Sequence, residues 1–310
     1  MSNSPKPWDA EAAVTPEVAS TLVEAQFPEL APVDIVPFGS GWDNEAFLVN
    51  GAFVFRFPRR TLALAFFENE LRVLGGLAGR LPLPIPRPIY LGKPDPEASG
   101  FPWPFAGYLL IVGRTACSRA LSDDARARCA GPLGAFLGVL HAIPVDEAER
   151  MGAGPDAIRR MELGYRTERL RGNIAKIEAL GGPRPPSNWE AIVDAALRQE
   201  TIDVFRSLVH GDLYVRHLLI DEKGALCGII DWGDCHIGNP AIDLAIAHSF
   251  LPPSTHPLFR AAYGDIDDAT WGLARWRALQ HTSMLALFAV DVGDVDLLRE
   301  CETTFRFLET

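Results

Sequence analysis

Two rhythms of apolar and polar residues divide this chain. The stretch PVDIVPFGSGWDNEAFLVNGAFVFRFPRR has the short apolar blocks and turn residues of three strands, with Asn50-Gly51 the kind of pair that closes a two-residue hairpin. Before it, VTPEVASTLVEAQFPEL predicts a short opening helix, with Thr15 as N-cap, Pro16 in the first turn, and Val18, Leu22 and Phe27 on one face. After it, FFENELRVLGGL predicts a helix that carries Glu68 and Glu70. Proline and glycine crowd LPLPIPRPIYLGKPDPEASGFPWPF, which predicts an edge strand, turns and loop. AGYLLIVGRTA then predicts a buried strand ending at Gly113, and the lobe boundary is placed there, giving lobes 1–112 and 113–310.

From Ser122 the rhythm becomes helical, with Leu133, Phe136, Leu137 and Leu140 at helix spacing; GGPRPPSN reads as a loop, and the tail from Ala269 is helical again. Sheet first and helices later predicts an α+β protein of two lobes, an antiparallel-sheet amino-terminal lobe and a mainly helical carboxy-terminal one. A length of 310 residues agrees, since one core rarely grows so large.

Composition narrows the classes. Hydrophobic residues form 48% of the chain and charged ones 22%, as in ordinary globular proteins, and the net charge of -11 speaks against a nucleic-acid partner. The five cysteines form no C-x-x-C pair, which speaks against zinc or a disulfide framework and for a reducing compartment. The start, MSNSPKPWDAEAAVTPEV, lacks the basic and apolar runs of a secretion signal, and no stretch approaches a membrane span. A cytoplasmic protein without a membrane partner is expected.

The chemistry gathers in LVHGDLYVRHLLIDEKGALCGIIDWGD, residues 208–234. HLLID and ALCGIID flank Glu222-Lys223-Gly224, a turn signal, and predict an antiparallel hairpin whose open end brings His217 beside Asp231. Asp212 enters just before the first strand. Two carboxylates meeting at a loop end suit phosphoryl transfer: one orients and deprotonates a hydroxyl, the other holds a divalent ion against phosphates.

VHGDLYVRHLLID followed by GIIDWGDCHIGNPAIDLA resembles the signature of the aminoglycoside phosphotransferase family, whose fold is similar to protein kinases. The resemblance implies Asp212 as catalytic base, Asp231 as metal-binding residue with Mg2+, and His210 as a structural member of the loop. It implies that the 1–112 lobe holds the nucleotide, and the 113–310 lobe the catalytic loop and acceptor. His217 departs from the asparagine usual in the family; it would ligate metal through nitrogen or contact a phosphate, and magnesium prefers oxygen. A histidine here resembles the macrolide phosphotransferases, which implies GTP working at least as well as ATP. Arg56 stands where the family has a lysine that grips phosphates, with Glu70 its expected partner and Glu68 the fallback. Ser40 and Gly41 in GSGWDN match the phosphate-covering loop, and the backbone around Leu110 to Val112 should meet the base. Asn239-Pro240 predicts a helix start at which Asp243 braces the catalytic loop or serves stability, and Asp234 faces either substrate or solvent.

The acceptor follows from resemblance more than from residues. HSFLPPSTHPLF and RWRALQHTSMLALFAVDV are apolar, which suits a macrolide pocket and equally suits plain core. The expected function is transfer of phosphate from GTP or ATP to a small-molecule antibiotic, foremost a macrolide 2'-hydroxyl. An aminoglycoside or amino-alcohol kinase of the same fold, and a non-catalytic nucleotide-binding relative, are the alternatives.

Overall fold

A computed structural model describes residues 10–41, 43–199 and 206–310. The first nine residues, on which part of the reading against a secretion signal rests, lie outside the described residues, as do Trp42 of the GSGWDN loop and residues 200–205. The chain forms two compact units, residues 1–78 with 86–111, and residues 79–85 with 112–310. A single division after residue 112 therefore misses residues 79–85. They join the helical unit through the Ile229 amide, which bonds to the Pro84 carbonyl at 3.0 Å, and through Arg80, which bonds Glu147 at 2.7 Å.

In the first unit, α1 (Pro16–Gln26) starts as its sequence predicts, the Thr15 hydroxyl accepting from the Val18 amide. Five antiparallel strands follow, β1 (Ile35–Ser40), β2 (Asn44–Val49), β3 (Phe53–Pro58), β4 (Pro88–Gly92) and β5 (Phe105–Leu109), in the order β1-β2-β3-β5-β4. Helix α2 (Ala63–Leu77) lies between β3 and β4 in sequence. Asn50 and Gly51 both adopt positive φ, as such a turn requires, though the connection spans residues 50–52. The predicted strand to Gly113 stops at Leu109, since β3, its partner, begins at Phe53 opposite Leu109. Strand β4, which opens on Pro88, sits at the sheet edge, where a missing amide does no harm.

Phenyl rings fill this core. Phe55, Phe57 and Phe105 are fully buried, Phe57 stacking on Phe105 at 4.6 Å. Gly92 and Gly107 make room for them: a Cβ on Gly92 would meet the Phe105 ring at 2.2 Å, and one on Gly107 the Phe55 ring at 2.5 Å.

In the second unit, β6 (Arg114–Thr115) precedes α3 (Asp123–Ala127), α4 (Ala130–His141) and α5 (Val145–Arg150). Helices α6 (Leu163–Ala179) and α7 (Trp189–Leu197) follow. Four short strands, β7 (Ser207–Val209), β8 (Leu218–Ile220), β9 (Leu226–Ile229) and β10 (His236–Gly238), lead into α8 (Ala241–Phe250) and α9 (His256–Tyr263). The long α10 (Asp268–Val292) and α11 (Val295–Leu308) close the chain. The antiparallel hairpin β8–β9 pairs with β6, and β7 pairs with β10. Among the described residues no helix is long and apolar enough to cross a membrane.

Candidate active site

Strand β7 delivers His210, Gly211 and Asp212 into a loop whose backbone is held from below. Asp243, fully buried in the first turn of α8, accepts the His210 amide at 2.6 Å, the Gly211 amide at 2.9 Å and the His141 ring Nε2 at 3.1 Å. Pro240 is the residue just before that helix, and the Asn239 side chain accepts the Ala241 amide at 2.9 Å. Of the two roles left open for Asp243, the bracing one is thus seen directly. Burial works to raise the Asp243 pKa, but the hydrogen bond and charge of His141, with the loop amides, hold it below the usual carboxylate range.

Gly211 has φ +87°, and a Cβ there would meet the Asp234 carbonyl oxygen at 2.2 Å, so no side chain fits. His210 is fully buried, with Nδ1 accepting the Asp212 amide at 3.3 Å and Nε2 donating to the Ile230 carbonyl at 3.0 Å. Those partners specify a neutral ring, and burial, the main cause, keeps its pKa low.

The hairpin closes as its turn residues predict. Asp221 accepts the Lys223 and Ala225 amides, Gly224 has φ +79°, and the Ile230 amide bonds to the His217 carbonyl at 3.0 Å. At the open end His217 stands between the two carboxylates. Its Nε2 is 3.2 Å from Asp231 Oδ2; its Nδ1 is 2.7 Å from the Asp212 carbonyl and 3.7 Å from Asp212 Oδ2. Burial disfavours a charge on this ring, but Asp231 and then Asp212 outweigh it and raise the pKa to about 9. At neutral pH the ring is a cation donating from both nitrogens. Asp212 also feels burial first, and the His217 charge then brings it below the ordinary value, so it is ionised.

Asp231 has φ +69°, a conformation that costs a residue with a side chain about 1–2 kcal/mol. Its neighbour secures it. Trp232 is fully buried, donates to the Ile229 carbonyl at 3.1 Å, and packs edge-on against His210 and Phe136.

Further side chains reach this site from distant parts of the sequence. Arg160, almost fully buried, bonds Asp156 at 2.6 Å and Asp234 more closely still. Asp234, for which substrate and solvent were both open, is thus an ion-pair partner. Burial and the nearby Asp212 push it up to about 7. His281 of α10 places Nε2 3.5 Å from Asp212 Oδ1. No local spacing marks Arg160; His281 is visible only as a polar residue inside an apolar helix.

The residues read as nucleotide-binding lie mostly in the first unit. Arg56 of β3 pairs with Glu70 of α2, one nitrogen meeting both carboxylate oxygens at 2.7 and 3.0 Å. Glu70 is buried and also accepts from the Tyr108 hydroxyl at 3.3 Å, whereas the fallback Glu68 is exposed. Arg59 pins the glycine loop, donating to the Ser40 hydroxyl and the Gly41 carbonyl, both at 2.8 Å. A Cβ on Gly39 would meet nothing within 4 Å and one on Gly41 only the Asn44 carbonyl at 3.7 Å. Packing among the described residues therefore does not require glycine at either position. The Leu110 amide is committed to the Ala52 carbonyl at 2.9 Å, and Val112, 76% exposed, falls in the second unit.

Among the described residues no group of three or more His, Cys, Asp or Glu side chains forms a cage for a metal ion. The Asp231 carboxylate is 43% exposed, while His217, expected beside it as a second ligand, has both nitrogens turned to oxygen acceptors. That donor set fits an ion held by one carboxylate and completed by water and phosphate oxygens, the habit of magnesium.

The profile of the phosphotransferase enzyme family (APH) matches residues 34–279. Among solved structures the chain is similar to the GDP and kanamycin complex of APH(2'')-IIIa, 25% identical, covering 93% of this chain and 97% of that one with a TM-score of 0.69. It is similar to the GDP complex of wild-type aminoglycoside 2'-phosphotransferase-IIIa, 24% identical, covering 96% and 99% with a TM-score of 0.71. Macrolide 2'-phosphotransferase type I is 23% identical, with 94% and 97% covered and a TM-score of 0.60. The last two likenesses show the fold, an antiparallel sheet region followed by a mainly helical one. Uncharacterized protein YcbJ of Bacillus subtilis (strain 168) is 27% identical over 99 residues, and the chain spans 31% of that curated relative's length.

Proposed function

Because the chain belongs to the phosphotransferase enzyme family, and is an enzyme that transfers phosphate to a hydroxyl acceptor, we propose that it phosphorylates a small antibiotic from a nucleoside triphosphate. The observation that carries this reading is His217 standing between Asp212 and Asp231 at the open end of one hairpin. Asp212 orients the acceptor hydroxyl and takes its proton late, as an ionised carboxylate of low pKa does. Asp231 would hold the metal, and His217 fixes Asp231 as a hydrogen-bond donor. Mg2+, when bound, neutralises the phosphate charge that repels the incoming oxygen. Arg56, oriented by Glu70, would grip the donor phosphates, Ser40 and Gly41 would cover them, and the backbone around Leu110 to Val112 would meet the base.

A macrolide 2'-hydroxyl is the finer reading of the acceptor. An aminoglycoside carries several positive charges and calls for an acidic groove. Here four carboxylates, Asp156, Asp212, Asp231 and Asp234, face three cations, Arg160, Arg277 and the His217 ring, and Asp234 is itself pushed up to about 7. A large neutral ring with one basic sugar suits that balance better than a polycation. GTP, which the relatives' GDP complexes make the first donor to try, and ATP are both expected to serve. Such a donor also suits a cytoplasmic enzyme.

Purified protein with Mg2+, GTP or ATP, and erythromycin or kanamycin tests the reading. Turnover with erythromycin is expected, and Asp212→Asn should abolish it. Kanamycin turnover without erythromycin turnover would replace the macrolide reading by the aminoglycoside one. No triphosphate consumption with any acceptor would end the catalytic reading.

A further inference from the structure

The two oxygens of Asp212 face different histidines. Oδ1 has the His281 ring at 3.5 Å, while Oδ2 has only the His217 ring at 3.7 Å, beyond hydrogen-bond reach, among the described residues. Both rings are held in place by Tyr214, which packs edge-on against His217 at 4.5 Å and His281 at 5.5 Å. We propose that His281 is a positioning residue for the base: its Nε2–H holds Oδ1 of Asp212 against α10, so that Oδ2 is the oxygen presented to the acceptor hydroxyl. The inference rests on Asp212 being the base. At 3.5 Å the contact is long, and a small rotation closes it, as hydrogen bonds in catalytic sites tighten when substrate binds.

The surroundings explain why a histidine serves here. Arg277 lies one turn earlier on α10, almost fully buried, with Nη1 donating to the Gln280 side-chain Oε1 and Nε without a hydrogen-bond partner among the described residues. The charged and titratable groups around His281 are Arg277, Asp212, Arg160 and His217, with the Tyr214 phenol beside it. Burial first, and the Arg277 charge next, push His281 down to about 3. It therefore donates one hydrogen bond as a neutral ring. A cation in its place would form an ion pair with the carboxylate and draw it away from the acceptor.

The test compares His281→Gln, which keeps an N–H donor, with His281→Leu, which removes it at similar size. Donor consumption is followed with GTP and Mg2+, with erythromycin and with water alone as the acceptor, so that the assay stands without knowledge of the natural substrate. The Leu variant should lose about 10- to 100-fold in kcat, the scale of a base displaced by a fraction of an ångström to one ångström. The Gln variant should recover most of that loss, and the KM for GTP and the thermal stabilisation by GTP should be unchanged in both. Equal rates for Gln and Leu, or a loss of kcat accompanied by equal loss of nucleotide binding, would overturn the proposal. His281→Asn against His281→Ala repeats the comparison should the Leu variant not fold. Asp212→Asn is the control: if it keeps the native rate, the reading of Asp212 fails, whereas an inactive Asp212→Asn beside a fully active Leu variant sinks the role of His281 alone.

Discussion

Replacing Asp243 by Asn changes one atom, yet should be among the most damaging single substitutions in this chain. In the native protein both carboxylate oxygens accept: Oδ1 takes the Gly211 amide, and Oδ2 takes the His210 amide and the His141 ring. An asparagine has one acceptor oxygen, so its NH2 group must face one of the two backbone amides, donor against donor. His141 can switch tautomer and accept instead, but a peptide N–H cannot. One charge-assisted bond, about 1.5–3 kcal/mol, is lost, and a buried donor left unpaired adds about 1–3 kcal/mol, giving about 4 kcal/mol in all. At roughly 2–4 °C per kcal/mol for a large domain, the melting temperature should fall by about 8–16 °C at pH 7. Since Asp243 has a folded pKa below its unfolded value of 3.8, the unfolded chain binds the proton more readily. Its contribution is complete above pH 3.8 and fades as pH falls through the folded value, so the gap between native and variant should narrow in acid. Thermal unfolding across a pH series measures both, and triphosphate turnover should fall with the loosened loop. A variant that melts within about 2 °C of the native protein and keeps its rate would refute the bracing argument.

Three further outcomes follow from the geometry. Gly211→Ala sets a Cβ 2.2 Å from the Asp234 carbonyl oxygen at φ +87°, so the loop must shift; kcat should drop about 100-fold, and an active variant would show the loop to be far more pliant than its packing implies. Glu70→Gln keeps shape but removes the charge that orients Arg56, so the KM for GTP should rise about tenfold with kcat less affected, a change that nucleotide-dependent melting shifts would also register. Ser40→Ala removes a hydroxyl that bridges Glu45 and Arg59 at the glycine loop, and steady-state kinetics should show a modest rise in the same KM, about two- to fivefold, with native stability.

Much of this architecture can be read from local pattern because short-range physics decides it. Alternating apolar residues set the face of each strand, and the turn at Asp221 to Ala225 sets the register, so the meeting of His217 with Asp231 follows from counting residues. The choice of Glu70 over Glu68 comes instead from the resemblance to the kinase strand–helix ion pair; in α2 Glu70 is buried and Glu68 exposed. The brace and the flank of the site were not legible locally. His141 reaches Asp243 across 102 residues and Arg160 reaches Asp234 across 74, and no periodicity couples such positions. The folding of residues 79–85 with the second unit escaped for the same reason, since the contacts of Pro84 with Ile229 and of Arg80 with Glu147 join positions far apart in sequence.

The long α10 carries the most general lesson. Its apolar residues suit a substrate pocket and a plain core equally, so they said nothing about chemistry. The polar residues that such a helix buries are the informative ones, because each opposes the desolvation that drives the packing around it and persists only against a specific partner or need. Arg277 and His281, four residues apart, share one face, and that face meets Asp212. Burial first, and the Arg277 charge next, keep the ring one turn away neutral, and that ring in turn meets Asp212 Oδ1. On this proposal the catalytic loop is tuned by a helix more than sixty residues downstream, through two of the several polar side chains that interrupt its hydrophobic pattern.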